Sequence, residues 1–215
     1  MRFVLERVTQ PAIEPVTLAE IIQHVREFSS ASAATQTELT DLIVAGREWA
    51  ESYTGRALID QTWRLSIADY SIPWVVDAAN CQCGSFVRAG DGSLLLYKSP
   101  ALAITSFVSV DSAGTETDIE ASTYALRDAA SKWPRVVPLS GASWTAGPLK
   151  IEFRAGYADR LGSPQTGAEV VPARFKQAIK LWVEANFDRD KDMMPLLLDT
   201  ARRLIDPEMA DISLA

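Results

Sequence analysis

The apolar residues of this chain change period twice, and that change constrains the fold more than any other feature. They recur every three or four residues near both ends and every second residue between them. Helices therefore flank a run of strands. Each apolar face must be buried against another element, so the fold class expected is α+β. Helices from both chain ends pack together, and between them lies an inserted, mostly antiparallel β-sheet or small barrel. The matching division is a helical core from residues 1–60 and 165–215 and a β subdomain at 61–164.

The N-terminal quarter reads as helical. Thr17-Leu18-Ala19-Glu20 has the form of a capping box, in which the threonine hydroxyl takes an orphan amide and the glutamate reaches back. The helix it opens runs to about Phe28, with Leu18, Ile21, Ile22 and Val25 inward. A small-polar link from Ser29 to Thr35 leads to a longer helix carrying Leu39, Leu42, Ile43, Gly46, Trp49 and Tyr53 on one stripe. Gly55 ends it, in the left-handed conformation that costs glycine least. Trp63, Leu65 and Ile67 then alternate with Thr62, Arg64 and Ser66, the pattern of a half-buried strand. Leu94–Tyr97, Ile104–Val110, Tyr124–Leu126 and Lys150–Ala155 are further strands, with a turn at Asp111-Ser112-Ala113-Gly114. The weakly patterned stretch from Ser71 to Ser93 reads as a long loop or hairpin. Pro172 opens a helix with Phe175, Ala178, Ile179, Trp182 and Val183 on its apolar stripe. A last helix starts near Pro195, carries Leu197, Leu198, Ala201, Leu204 and Ile205, and stops at Pro207 before an acidic tail.

Chemistry is mostly absent from this pattern. A net charge of −7 opposes broad affinity for nucleic-acid phosphates. Cys81 and Cys83 form no disulfide framework. They lack the second Cys/His pair of a zinc site, and one residue separates them instead of the two of a redox motif. His24, the single histidine, has no nameable partner and reads as a helix-surface or interface residue. Asp188, Asp190, Asp192 and Asp199 imitate a calcium loop, but Met193 stands where the sharp turn needs glycine. Gly90-Asp91-Gly92 is too short to cradle a phosphate, and Ser143 lacks the flanking glycines of a nucleophile elbow. Without a basic groove, the tryptophans and tyrosines make no stacking platform for single strands. Trp49, Tyr53, Trp63 and Trp182 are instead candidate core or subunit-interface aromatics. No apolar run reaches the ~20 residues of a membrane helix, and the start of the chain lacks a signal-peptide pattern. Synthesis in a cytoplasm, no membrane partner, no metal, no cofactor and no catalytic residue are expected; a hydrolase using scattered carboxylates is the distant alternative.

The ordered series of segments says more. Glu14-Pro15-Val16-Thr17-Leu18-Ala19-Glu20 resembles the entry to the tailed-phage head-to-tail connector family, the adaptor or head-completion proteins. Arg47 to Leu58, with the run Arg47-Glu48-Trp49-Ala50-Glu51-Ser52-Tyr53-Thr54-Gly55-Arg56, resembles that family's second helix and its exit. Gln61-Thr62-Trp63 is similar to the start of its first strand. Ser99-Pro100, Ile104 to Val108, the Asp111–Gly114 turn, Ala155-Gly156-Tyr157 and Val171 to Ile179 keep the family's order. The Ser71–Ser93 loop, Phe187-Asp188-Arg189-Asp190 and the tail beyond Arg203 depart from it.

The resemblance implies a structural virion protein. It would form a homo-oligomeric, dodecameric ring under the portal at the head–tail interface, assembled in the host cytoplasm. Its partners would be its own copies, the portal protein and a stopper or tail-completion protein, with genome DNA passing through the channel without specific binding. A tail-completion or stopper protein of the same neck is the alternative. On this reading Leu197, Leu198, Ala201, Arg202, Arg203, Leu204 and Ile205 are candidate portal-docking residues.

Overall fold

The computed structural model describes residues 3–25, 32–68, 92–139, 144, 147–157, 170–188 and 193–209. Strand β1 (Phe3–Thr9) comes first, then α1 (Leu18–His24) and α2 (Ala33–Thr54). Strands β2 (Gln61–Ile67), β3 (Leu94–Leu95), β4 (Ala101–Val110), β5 (Glu116–Asp118), β6 (Tyr124–Arg127), β7 (Arg135–Pro138) and β8 (Leu149–Ala155) follow. Helices α3 (Ala173–Asp188) and α4 (Met194–Ile205) close the order, with a final 3-10 turn at Asp206–Glu208. The Ser71–Ser93 loop, Cys81, Cys83, Ser143 and the Asp190–Asp192 run lie almost wholly outside the described residues; of the loop, Gly92 and Ser93 are described.

The helix signals act as expected. Thr17 caps α1: its hydroxyl accepts from the Glu20 amide, and the Glu20 carboxylate accepts from the Thr17 amide at 2.8 Å. Ser32 caps α2, and Gly55 ends it with φ of 71°. Helix α1 is shorter than expected, because Val25 turns extended after its amide bonds the Ile21 carbonyl. Gly46 lets α2 and α3 approach closely, since a β-carbon there would lie 3.2 Å from both Ile179 and Trp182. Leu39, Ile43, Ala50, Phe175, Ala178, Ile179 and Val183 fill the helical core, together with Ala201 and Ile205 of α4.

The strands form two open antiparallel sheets and no closed barrel among the described residues, with orders β1-β2-β8-β4-β5 and β3-β7-β6. Leu65 pairs with Ile151, and Ile151 with Phe107, so one apolar row crosses the larger sheet. That face packs on Leu94 and Val136 of the smaller sheet and on Leu96 just past β3, and the Phe107 ring meets Tyr124 and Trp144 at 5.2 and 5.1 Å. The α+β class with helices from both ends packed together is the architecture observed. The expectation of a wholly helical N-terminal quarter is corrected, because Phe3–Thr9 is the edge strand of the larger sheet. The Leu94–Tyr97 strand shrinks to Leu94–Leu95, since β7 offers its register only to those two residues.

Candidate functional site

Three of the segments that carry the resemblance, those holding Glu14, residues 47–58 and Gln61, meet between α2 and the start of β2. Arg47 and Glu51 face inward one turn apart on α2. Arg47 Nε donates to Glu14 Oε2 at 2.8 Å, and its Nη1 donates to Glu51 Oε2. The other Glu51 oxygen accepts from the Leu58 amide at 2.9 Å and from Gln61 Nε2 at 2.7 Å. From the edge strand, Arg7 reaches Glu48 at 3.0 Å and the rim of Glu51 at 3.7 Å. Lys98 donates to the Glu51 carbonyl at 3.3 Å and lies 4.8 Å above the Trp63 ring, which Arg7 approaches at 5.7 Å. Arg7, Arg47 and Lys98 are thus matched in number by Glu14, Glu48 and Glu51. Burial pushes the Glu14 carboxyl up against the pull of Arg47, and it pushes the Lys98 ammonium down against the attraction of Glu51. The part of this network held away from water, Arg47 with Glu51, fixes geometry more than it adds stability. It joins α2, the loop before α1, β1, β2 and the Lys98 segment into one rigid junction.

Sequence reasoning placed Arg47, Glu51 and Gln61 in family-like segments without seeing that they bind one another. It missed Arg7 and Lys98 altogether. The only signal for Arg7 is a charged residue at an inward-facing position, which becomes visible once the register of β1 is known.

The four candidate aromatics fall in two places. Trp49 stacks between Tyr53 and Trp182, with ring centroids 6.0 and 6.1 Å away, on the half-buried flank of the helical core. Trp63 is apart from them, on the face of the larger sheet beneath Lys98 and Arg7. Of the candidate docking residues, Ala201 and Ile205 are fully buried in the subunit's own helical core and Leu204 packs against it. Leu197 and Leu198 are half-buried, while Arg202 and Arg203 are exposed. Arg203 pairs with Asp199 one turn back. The exposed large apolar residues at this end, among those described, are Met193, Leu196 and Met209. His24 Nε2 lies 3.0 Å from Glu184 Oε2, a bond between α1 and α3. Among the described residues no group of three or more His, Cys, Asp or Glu is placed to hold a metal ion, and no helix is long and apolar enough to cross a membrane.

No family model and no curated protein sequence matches the chain. Solved structures do. A chain in the neck of an empty gene transfer agent (GTA) particle, computed with C6 symmetry, superposes with a TM-score of 0.68 at 24% identity, over 96% of this chain and 95% of that one. The chain has the fold of a GTA neck chain. A chain in the virion of the native GTA particle gives 0.66 at 24% identity, over 93% and 94% of the two chains. One in the neck of the native particle, computed with C12 symmetry, gives 0.62 at 23% identity, over 96% and 94%. The likeness to GTA neck chains runs through the junction, both sheets and the terminal helices alike.

Proposed function

We propose that this protein is a structural subunit of the neck of a tailed, DNA-packaging particle. Its copies form a dodecameric ring beneath the portal that joins the head to the tail and lines the DNA channel. The observation that carries this reading is the extent of the likeness to neck chains, which leaves almost no part of either partner unmatched. Particle necks computed with C6 and C12 symmetry support repetition of the subunit around an axis. The net charge of −7 suits a channel past which DNA slides without being gripped.

On this reading the helical core (1–60 and 165–215) carries the contacts between rings, and the β subdomain (61–164) is an insertion on it. The last helix, α4, faces the portal through its candidate docking residues between Leu197 and Ile205. Deleting the gene and viewing the lysate by electron microscopy tests the proposal. DNA-filled heads without tails are the expected result, and normal tailed particles overturn it.

A further inference from the structure

The end of the described chain is held with unusual completeness. Lys132, in the β6–β7 connection, donates to the carbonyls of Pro207 and Met209 at 2.9 and 2.7 Å. Arg56, just past α2, donates from Nε to the carbonyl between them, that of Glu208, at 3.1 Å. The Glu208 carboxylate bridges two guanidinium groups, Arg56 at 2.8 Å and Arg174 of α3 at 2.7 Å. Tyr53 donates to Asp206 at 2.5 Å, and Tyr157 lies 3.4 Å from Arg56. Three successive carbonyls and two carboxylates are thus each met by a donor, from parts of the fold far apart in sequence.

The tie is chemically selective. Arg56 is 8% exposed, and among the described residues Glu208 is the carboxylate that pairs with it. A guanidinium left buried without an anion is strongly unfavourable, so the site demands an acidic occupant. Lys132 and Arg56 read the backbone of the 3-10 turn as well, so the site fits an acidic peptide turn and not a lone anion.

We propose that Arg56, Lys132 and Arg174 form a peptide-recognition cradle for an acidic turn, occupied by the protein's own Pro207-Glu208-Met209. Its occupancy latches α4 onto the body of the subunit. The cradle joins the helical half, through Arg56 and Arg174, to the smaller sheet, through Lys132. Releasing the latch frees α4 at its C-terminal end. The presentation of α4 to a neighbouring ring rests on the neck reading above; the latch itself does not.

The test uses the full-length chain alone, so its failure leaves the neck reading standing and the reverse also holds. Glu208→Ala vacates the carboxylate position. A fluorescently labelled synthetic peptide of residues 204–215 is then titrated into wild type and variant and followed by anisotropy. At least tenfold tighter binding to the variant is expected. That gain should vanish when the peptide carries Gln in place of Glu208, or when Arg174→Ala is added to the protein. Equal affinity for wild type and variant, or indifference to the Gln peptide, overturns the proposal. Should Glu208→Ala fail to fold, Glu208→Gln and Lys132→Met are compared by hydrogen exchange. Faster exchange confined to residues 194–209 supports the latch, and unchanged or uniformly raised exchange overturns it.

Discussion

Arg47 and Glu51 share a 3.0 Å hydrogen bond one helical turn apart, with side chains only 3% and 5% exposed. At that depth neither charge is screened by solvent, so the pair behaves unlike the surface ion pairs that contribute little. The remaining oxygen of Glu51 is committed to the Leu58 amide and to Gln61, which ties the exit of α2 to the first residue of β2.

Removing one partner of such a pair strands the other. Glu51→Ala is expected to lower stability by roughly 3–5 kcal/mol, as found when buried pairs are broken on one side. Replacing it with Gln keeps a carbonyl oxygen for Leu58 or Gln61 and is expected to cost less. Urea unfolding of the two variants measures the difference. A loss under about 1 kcal/mol for Glu51→Ala, the size of an exposed pair, would show that the junction is not sealed from water.

Gly156 follows the end of β8 with φ of 147°, and a β-carbon there would lie about 2.5 Å from the backbone of Ile59 and Asp60. Its own amide donates to the Pro100 carbonyl at 2.9 Å. Backbone cannot swing aside as a side chain can. Gly156→Ala is therefore expected to lower stability by roughly 1–3 kcal/mol through overpacking, beyond the strain of its φ. Gly114, at φ of 86° with nothing within 4 Å, has only the strain. Thermal melts of the two alanine variants should rank Gly156→Ala as clearly the worse.

These two sites show what the sequence displays and what it hides. Gly55, the Thr17–Glu20 box and the alternation of Ile151 and Phe153 are local, so each can be read within a few residues. β1 cannot. Its outward positions carry Val4, Glu6 and Val8, and its inward ones Phe3, Leu5 and Arg7. Apolar residues lie on both faces, and the inward Arg7 faces the junction charges, so no period of two emerges. The junction is hidden for a related reason. Arg47 finds Glu14 33 residues away and Arg7 lies 54 residues from Gln61, distances that only the folded topology closes. The same holds for the grip of Lys132 on Pro207 across 75 residues.

The α1 cap carries a pH dependence of defined sign. Partial burial opposes ionisation of Glu20, but the Thr17 amide and hydroxyl outweigh it, with help from Lys180 and Lys176. The carboxyl is therefore held below its ordinary 4.5. A lowered folded-state value means that the unfolded chain binds the proton more tightly. The cap's contribution is complete above the unfolded value and is lost as pH falls through the folded one. Wild type should thus lose more stability than Glu20→Gln between about pH 5 and pH 3, the range spanning ordinary carboxylates. Parallel acid titrations of the two proteins would count against the cap if they coincide.

Helix α4 can complete the subunit core and still present a face to a partner, because different residues serve the two roles. Ile205 and Ala201 are fully buried against α2 and α3, whereas Leu196, on the same helix, is 58% exposed and Met193 beside it is 47% exposed. Ile205→Ala removes buried methyl groups from a packed site and is expected to cost roughly 2–5 kcal/mol. Leu196→Glu changes a largely exposed side chain outside the buried core, so its change in stability should stay within about 0.5 kcal/mol. The same charge placed in an apolar contact between proteins is strongly unfavourable. If α4 meets the portal in the neck, particles carrying Leu196→Glu should accumulate as heads without tails, although the subunit melts as wild type does. Complementation of a deletion strain, scored by electron microscopy, separates the outcomes. Tailed particles in normal yield from a stably folded Leu196→Glu would place the portal contact elsewhere on the subunit and leave α4 with its core role alone.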